Sequence, residues 1–337
     1  MKLKRIGVDL AKAVFQLHGV DSHEQVKLRK QVKRGGMLNV FRQMEPCLVA
    51  MEACGSAHYW ARELRKLGHE VRLIAPQFVK PYVKSGKNDA NDAEAICEAA
   101  SRPQMRYVAV KTAEQQAGQA LHRVRSRLVK ARTALANEMR GLLLEFGIVM
   151  AKGIAACRRQ ATEALEDAEN GLPGMMRELL AQLTEELTQL DAHIAKLDRQ
   201  IKRQCAEDAR IKRLMEIDGL GPISASAVVA AIGDARQFAS GRDLSAWLGL
   251  VPKQHSSGGK ERLGSISKRG DTYLRTLLIH GARAVVTACK NKVDRKSMWI
   301  KGLMARRNKN IATVALANKN ARIIWAVLSR EEDYRAA

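Results

Sequence analysis

The sequence predicts an α/β domain at the N-terminus, followed by regions that are mostly α-helical. Three observations predict this fold class. Runs with strand and helix periodicity alternate in residues 1–110, a heptad pattern dominates residues 111–210, and aromatic residues make up only 4% of the 337-residue chain. When aromatic residues are scarce, Leu, Ala, Val, Ile and Met must supply the packing, and this mixture favours helices. The length suits two or three domains, which we place at 1–110, 111–210 and 211–337.

The first segment alternates extended and helical runs in the order β-β-β-α-β-α-β-α. The expected strands are residues 4–11, 14–20, 25–31, 47–51 and 71–75, and the expected helices are 36–44, 57–67 and 89–100. Residues 47–51 are apolar throughout, as in a central strand that is buried on both faces. The order predicts a mixed sheet with helices on its faces.

The middle segment contains two long helical patterns. The first runs from Ala113 to Phe146 without proline. In the second, apolar residues alternate at spacings of four and three: Met176, Leu180, Leu183, Leu187, Leu190, Ile194, Leu197 and Ile201. This a/d seam predicts a coiled coil, whose partner is either the first helix of the same chain or a second copy. The pattern leaves both partners open.

The third segment begins with a glycine-rich turn, Ile217–Gly221, before a helix of small residues. In a helix-hairpin-helix, such a turn exposes backbone N–H groups to a DNA phosphate, which makes Gly219 and Gly221 candidate nucleic-acid contacts. A plain turn between two helices explains the same string.

The charge of the chain predicts a polyanionic partner. The sequence has 58 Lys and Arg against 35 Asp and Glu, a net charge of +23, and residues 253–330 hold 18 of the basic residues but only 3 of the acidic ones. Solubility alone does not require such concentration. Nucleic acid is favoured over a membrane, because no apolar stretch approaches the ~20 residues of a membrane span. The six cysteines form no CxxC pair, which argues against zinc.

Four carboxylates in the first segment are placed as a metal site requires. Asp9 lies in a strand, Glu52 follows the central strand, and Asp89 and Asp92 share one face at the start of a helix. Strand ends and helix starts converge on one edge of an α/β sheet, where a divalent cation relieves the repulsion between carboxylates. Two Mg²⁺ ions ~3.5–4 Å apart would act on a phosphodiester there. Alternatively, Asp89 is a helix N-cap and Asp92 a favourable first-turn charge.

Several motifs resemble those of the DEDD transposases, in the insertion-sequence family that includes the Piv-type DNA invertases. The first half of the resemblance consists of Ile6–Lys12, Met51–Gly55 and Asp89–Ala93, and the second half of Gly249–Gly259, Gly264–Gly270 and Leu274–Arg275. It covers nearly the whole chain. It implies an RNase H/RuvC-like fold for the first segment, in agreement with the predicted order of elements. It also implies a C-terminal transposase domain.

The resemblance implies a composite active site with Mg²⁺ as cofactor. In this family the carboxylate cluster of one subunit works with a serine of another, which becomes covalently joined to DNA, so we expect a homodimer or homotetramer. Several members are guided by a structured bridge RNA. We therefore expect DNA and an RNA as partners, and a cytoplasmic, nucleoid-associated protein from a bacterium or archaeon.

The family motif contains a Ser-Gly step, which falls on Ser257 and Gly258 of this chain. The resemblance therefore implies that Ser257 is the nucleophile. Ser256 is adjacent and remains an alternative, while Ser265 and Ser267 are expected to cap turns or contact phosphate. A hydroxyl is a weak nucleophile that needs activation. The cations expected to hold the scissile phosphate are Lys253, Lys260, Arg262, Lys268, Arg269 and Arg275.

Two other functions remain open. A RuvC-like nuclease that hydrolyses branched DNA would need the four carboxylates but no serine. A non-catalytic nucleic-acid-binding protein would explain the charge and the coiled coil, but it has no use for Asp9 on a strand.

Overall fold

A computed structural model describes residues 2–84 and 88–335, which form two compact units. One unit contains the chain up to Gln116 together with Ile232–Ala239, and the other contains Ala117–Ala231 and the chain from Ser240 onward. The division into segments 1–110, 111–210 and 211–337 remains a prediction, and the two ends of the chain lie outside the described residues.

The first unit is built on a six-stranded mixed sheet. Its strands are β1 (Arg5–Leu10), β2 (Val14–Val20), β3 (Val26–Lys33), β4 (Leu48–Glu52), β5 (Glu70–Ile74) and β6 (Tyr107–Val108). They lie in the order β3-β2-β1-β4-β5-β6. Strands β1, β4 and β5 are parallel neighbours, whereas the β1–β2, β2–β3 and β5–β6 pairs are antiparallel. The central strand β4 is buried along its middle, as predicted.

Helices cover both faces of this sheet. They are α1 (Met37–Arg42), α2 (Ala57–Lys66), α3 (Pro76–Val79) and α4 (Asp89–Ala99). On one face Ile6 and Val8 pack in a core with Phe41 of α1 and Trp60 of α2. On the other face Ala50 packs with residues of α3 and α4. The predicted mixed sheet with helices on its faces is confirmed, and it is consistent with an RNase H-like domain.

The second unit is mostly helical. Its first helix begins before the unit boundary. The elements are α5 (Ala113–Leu144), α6 (Ile154–Glu166), α7 (Gly174–Glu207), α8 (Ala209–Met215), α9 (Pro222–Ile232), α10 (Gly241–Trp247), β7 (Pro252–Gln254), β8 (Leu263–Ile266), α11 (Thr272–Ala288), α12 (Arg295–Met304) and α13 (Lys309–Arg330). Across residues 2–84 and 88–335, no helix has the length and apolar character that a membrane crossing needs.

The heptad seam of α7 faces other helices of the same chain. Five of its eight residues are buried and three are half-buried. Ion pairs join α5 to α7, from Arg125 to Asp198 and from Arg132 to Asp191, where the two charged groups lie 2.9 Å apart. Residues of α5, α6 and α7 share one core. The seam is therefore packed within the chain, and a coiled coil between two copies remains a prediction.

Candidate catalytic carboxylates and serine hairpin

A glycine in β1 lets helix α4 lie directly on the sheet. A Cβ atom on Gly7 would lie 2.2 Å from the carbonyl oxygen of Ala93 and 2.5 Å from the backbone nitrogen of Cys97. No side chain fits in that space. Asp9 is two residues further along β1 and points to the same face as Gly7. The close packing at Gly7 therefore brings the first turn of α4 next to Asp9.

Three of the four predicted carboxylates meet at this place. One oxygen each of Asp9, Asp89 and Asp92 lies within 4.8 Å of the others. Asp9 and Asp92 are half-buried, and Asp89 is exposed. Three carboxylates at this spacing suit a hard divalent cation, which takes oxygen ligands and offsets their mutual repulsion.

Glu52 lies beside this cluster without joining the three closest groups. Val8 of β1 pairs with Met51 of β4 in parallel register, so Glu52 follows at the position next to Asp9. Burial, and then the charge of Asp92, raises the pKa of Glu52. The structure thus brings three of the predicted ligands together and places the fourth within electrostatic reach of them.

Burial and the neighbouring carboxylates change the protonation of Asp9. The pKa of Asp9 is raised to about 6, first by burial and then by the charges of Asp92, Asp89 and Glu52. Such a group keeps its proton to a higher pH than an ordinary aspartate does, and a bound cation would displace that proton. This behaviour is expected of a metal site and disfavours a purely structural role for Asp9.

The alternative that Asp89 is the N-cap of its helix is wrong. Asn88 caps α4, because its side-chain oxygen accepts a hydrogen bond from the backbone N–H of Ala90 at 3.0 Å. Asp89 is the first residue of the helix, and its carboxylate is left for the cluster. The sequence offered the signal, since Asn is among the preferred N-cap residues.

Gly7 is the positioning residue that sequence reasoning missed. Alternation along the strand puts Gly7 on the same face as Asp9, but no role was predicted for Gly7. A glycine inside a strand is itself a sign that another backbone comes close.

The predicted serine lies at the tip of the hairpin formed by β7 and β8. Ser257 and Lys260 form an isolated β-bridge, and the N–H of Lys260 donates to the Ser257 carbonyl at 3.1 Å. Between them Gly258 and Gly259 have φ values of 56° and 76°. Two successive residues with positive φ are typical of a type I′ turn, which requires glycine or a similar residue. The tip is exposed to solvent.

The two adjacent serines differ in their hydrogen bonds. The Ser256 hydroxyl oxygen accepts from the backbone N–H of Arg262 at 3.2 Å and from the side chain of Gln254 at 3.1 Å. Within the part of the chain that the structure describes, the Ser257 hydroxyl has no such partner. The free and exposed hydroxyl favours Ser257 over Ser256 as the nucleophile.

Five of the six predicted cations are exposed around this hairpin, namely Lys253, Lys260, Arg262, Lys268 and Arg269. The sixth, Arg275, is buried and only 8% exposed. Its guanidinium donates to the carbonyl oxygens of Leu248 at 3.2 Å and Arg269 at 3.4 Å. Arg275 is therefore placed to hold the loop that follows β8, whereas the side chains of the other five are exposed to solvent.

The glycine-rich turn has two different glycines. Gly219 has φ +90°, and a Cβ on Gly281 of α11 would lie 1.8 Å from its carbonyl oxygen. Packing against α11 thus explains Gly219, as the plain-turn alternative supposes. Gly221 is exposed, and nothing lies within 4 Å of a Cβ built there. It stays available for a phosphate at the start of α9.

Comparison with known proteins identifies the family. Residues 6–148 match the model of the IS110-type DEDD transposases, and residues 211–297 match that of the transposase IS116/IS110/IS902 family. The chain is 66% identical to a "Probable family 20 transposase" of Pseudomonas aeruginosa, over 99% of each chain. It is 50% identical to the transposase for insertion sequence element IS1111A of Coxiella burnetii, over 99% of this chain and 92% of that one. It is 44% identical to the transposase for IS1328 of Yersinia enterocolitica, over 96% of each. The chain therefore belongs to the IS110 family of DEDD transposases, enzymes that act on DNA.

Proposed function

We propose that this transposase cuts and rejoins DNA strands with Mg²⁺ held by Asp9, Glu52, Asp89 and Asp92 and with Ser257 as the nucleophile. The observation that carries the proposal is the convergence within 4.8 Å of one carboxylate from β1 and two from α4, where this helix packs against the sheet at Gly7. When bound, the cation would supply positive charge at the scissile phosphate and lower the pKa of an attacking group.

The serine would make the first covalent bond. Its Oγ attacks the phosphorus, the phosphodiester P–O bond to the departing DNA oxygen breaks, and the hydroxyl proton passes to a nearby base or to water. Attack by a DNA hydroxyl on the phosphoserine then releases Ser257 and joins the strands. The exposed cations Lys253, Lys260 and Arg262 lie along the same hairpin, where they would hold the phosphate and stabilise its developing charge.

We place the carboxylates and the serine of one active site on different subunits, in a homodimer or homotetramer. The resemblance supports this arrangement, because in that family the carboxylates and the serine of one active site come from different subunits. Light scattering of the purified protein with its nucleic acids tests it, and a strictly monomeric active complex would contradict it.

We further propose that a bridge RNA selects the DNA. The concentration of 18 basic against 3 acidic residues in 253–330 supports binding to nucleic-acid backbone. A protein that uses a guide RNA recognises shape and backbone, because base pairing reads the sequence. RNA that co-purifies with the protein and maps beside its gene is the expected finding. Full, sequence-specific activity of RNA-free protein would contradict it.

A strand-cleavage assay separates this function from hydrolysis of branched DNA. Junction DNA would be incubated with Mg²⁺, the RNA encoded beside the gene and wild-type, Asp9→Ala, Ser257→Ala or Ser265→Ala protein. Ser265 lies in β8 of the same hairpin and is the matched control. We expect loss of cleavage with Asp9→Ala and Ser257→Ala and retention with Ser265→Ala. Cleavage that survives Ser257→Ala and needs Asp9 would instead indicate a RuvC-like nuclease.

A further inference from the structure

We propose that a cavity between α12 and α13 binds the base of one unstacked nucleotide in a nucleic-acid strand. The cavity has a volume of about 900 Å³, within the range of ligand pockets. The lining residues that carry the argument are Arg295, Lys296, Trp299, Lys319, Asn320 and Tyr334. The inference rests on the proposed function only in that the chain works on nucleic acid.

Aromatic rings and lysines are combined in this cavity. The Nζ atom of Lys319 lies 4.6 Å from the centre of the Trp299 ring, and the Nζ atom of Lys296 lies 5.4 Å from that of Tyr334. Proteins hold single strands by stacking bases on aromatic side chains while cations follow the backbone phosphates. Trp299 is half-buried, so part of its ring remains accessible.

A residue that lines the cavity has a buried acceptor without a donor. Asn320 is 1% exposed, and its side-chain nitrogen donates to the backbone carbonyl of Asp218 at 3.0 Å. Its Oδ1 atom is buried and has no hydrogen-bond partner among the described residues. Buried polar atoms are seldom left unpaired. Every nucleobase carries an N–H donor on its pairing edge, which is the kind of group that this acceptor lacks.

The charges at the cavity favour entry of the base alone. Glu331, Glu332 and Asp333 of the C-terminal segment also line it, and their carboxylates disfavour a phosphate inside. A base is uncharged. The phosphates would remain outside, with cations such as Arg295 and Lys319.

The cavity adjoins the glycine-rich turn. Lys296 Nζ lies 2.6 Å from Oδ2 of Asp218, a residue of that turn, and Asn320 bonds the backbone of the same residue. A strand bound at this turn would therefore pass close to the cavity.

Binding of short single strands tests the proposal independently of catalysis. Full-length Asp9→Ala protein in EDTA would be titrated with fluorescein-labelled dT12, with rU12 and with an abasic 12-mer that carries the same phosphates. We expect dT12 or rU12 to bind at least about fivefold more tightly than the abasic strand. The better of the two identifies DNA or RNA as the source of the nucleotide.

Matched variants assign this preference to the cavity. Trp299→Leu should abolish it, whereas Trp299→Phe, which keeps a ring, and Trp325→Leu, on α13 outside the cavity lining, should retain it. Lys319→Gln should weaken dT12 binding more than Lys309→Gln, which removes the same charge from the same helix. Thermal unfolding of each variant verifies folding.

Three results would overturn the inference. They are equal binding of the abasic strand, an equal effect of Trp299→Leu and Trp325→Leu, and an equal effect of the two lysine changes. Because cleavage is not measured, failure here leaves the proposed carboxylate and serine chemistry untouched.

Discussion

At the scale of single residues, Asp9 shows how the candidate site conflicts with stability. The pKa of Asp9 is raised from 3.8 to about 6 by burial and by three neighbouring carboxylates. The folded protein thus holds this proton more tightly than the unfolded chain does. Below about pH 4, Asp9 is protonated in both the folded and the unfolded state, so its ionisation costs no stability. Above about pH 6 it is charged in both states, and the full cost of the buried charge is present. A bound cation would offset that cost.

Asp9→Asn should therefore stabilise the metal-free protein at high pH. In EDTA at pH 8 we expect its Tm to exceed that of wild type by a few degrees, roughly 2–4 °C. The difference should shrink as the pH falls towards 4. Thermal unfolding across this range measures it, with Mg²⁺ expected to raise the Tm of wild type more than that of the variant. A difference that does not change with pH would contradict the electrostatic cause.

The convergence of the candidate carboxylates could be predicted from the sequence, but the burial and hydrogen bonds of the candidate residues could not. Asp9, Asp89 and Asp92 were identified because strand ends and helix starts meet at one sheet edge. The hydrogen bonds of Ser256 and the burial of Arg275 depend on how the chain folds around them. They arise from local hydrogen-bond geometry, which residue spacing does not encode.

At the scale of elements, the packing of α4 on β1 decides whether the carboxylates meet. Gly7→Ala should force the two apart, because its Cβ would clash with the backbone of Ala93. We expect destabilisation of about 1–3 kcal/mol and a loss of the Mg²⁺-dependent rise in Tm. Gly35→Ala is the control, since nothing lies within 4 Å of a Cβ there. An unchanged metal response in Gly7→Ala would show that this contact does not position the site.

The turn before α9 can be tested through the glycines at its two contacts. Gly281→Ala should lower the Tm, because a Cβ would lie 1.8 Å from the Gly219 carbonyl oxygen. Gly221→Ala should leave the free energy of unfolding within about 0.5 kcal/mol of the wild-type value. It should weaken DNA binding, because the added methyl group limits the approach of a phosphate. Thermal unfolding of both variants measures the change in Tm, and DNA titrations of both measure the change in affinity. Unimpaired DNA binding by Gly221→Ala would indicate a plain helix–helix turn.

Periodicity predicted most elements because their hydrophobic pattern is long or strict. Strand β2 begins and ends at the predicted residues, 14 and 20. Among the described residues up to Glu207, three elements were missed, and α8 and the elements after α9 were not assigned individually from the sequence. Strand β6 has two residues and α3 has four, too few for any period to be visible. Helix α6 is longer, but its buried face consists of Cys157, Ala161 and Ala164, small residues that give a weak amphipathic pattern.

At the scale of the whole molecule, the net charge of +23 predicts steep salt dependence of nucleic-acid binding. Each phosphate that the protein neutralises releases counterions, so log K falls linearly with log salt. With six or more phosphate contacts, affinity should fall by about 10³ or more between 50 and 200 mM salt. Titrations at four salt concentrations measure the slope. A specific complex insensitive to salt would contradict a backbone-based mode of recognition.

The most direct test of the central claim is to map the covalent link between protein and DNA. Wild-type protein, co-expressed with the RNA encoded beside its gene, would be mixed with Mg²⁺ and DNA that spans the element junction. The denatured adduct would then be digested for mass spectrometry. We predict a nucleotide mass on Ser257, absent from Asp9→Ala protein and from reactions in EDTA. A link at Ser256 or at another residue, or cleaved DNA without any link, would contradict the account.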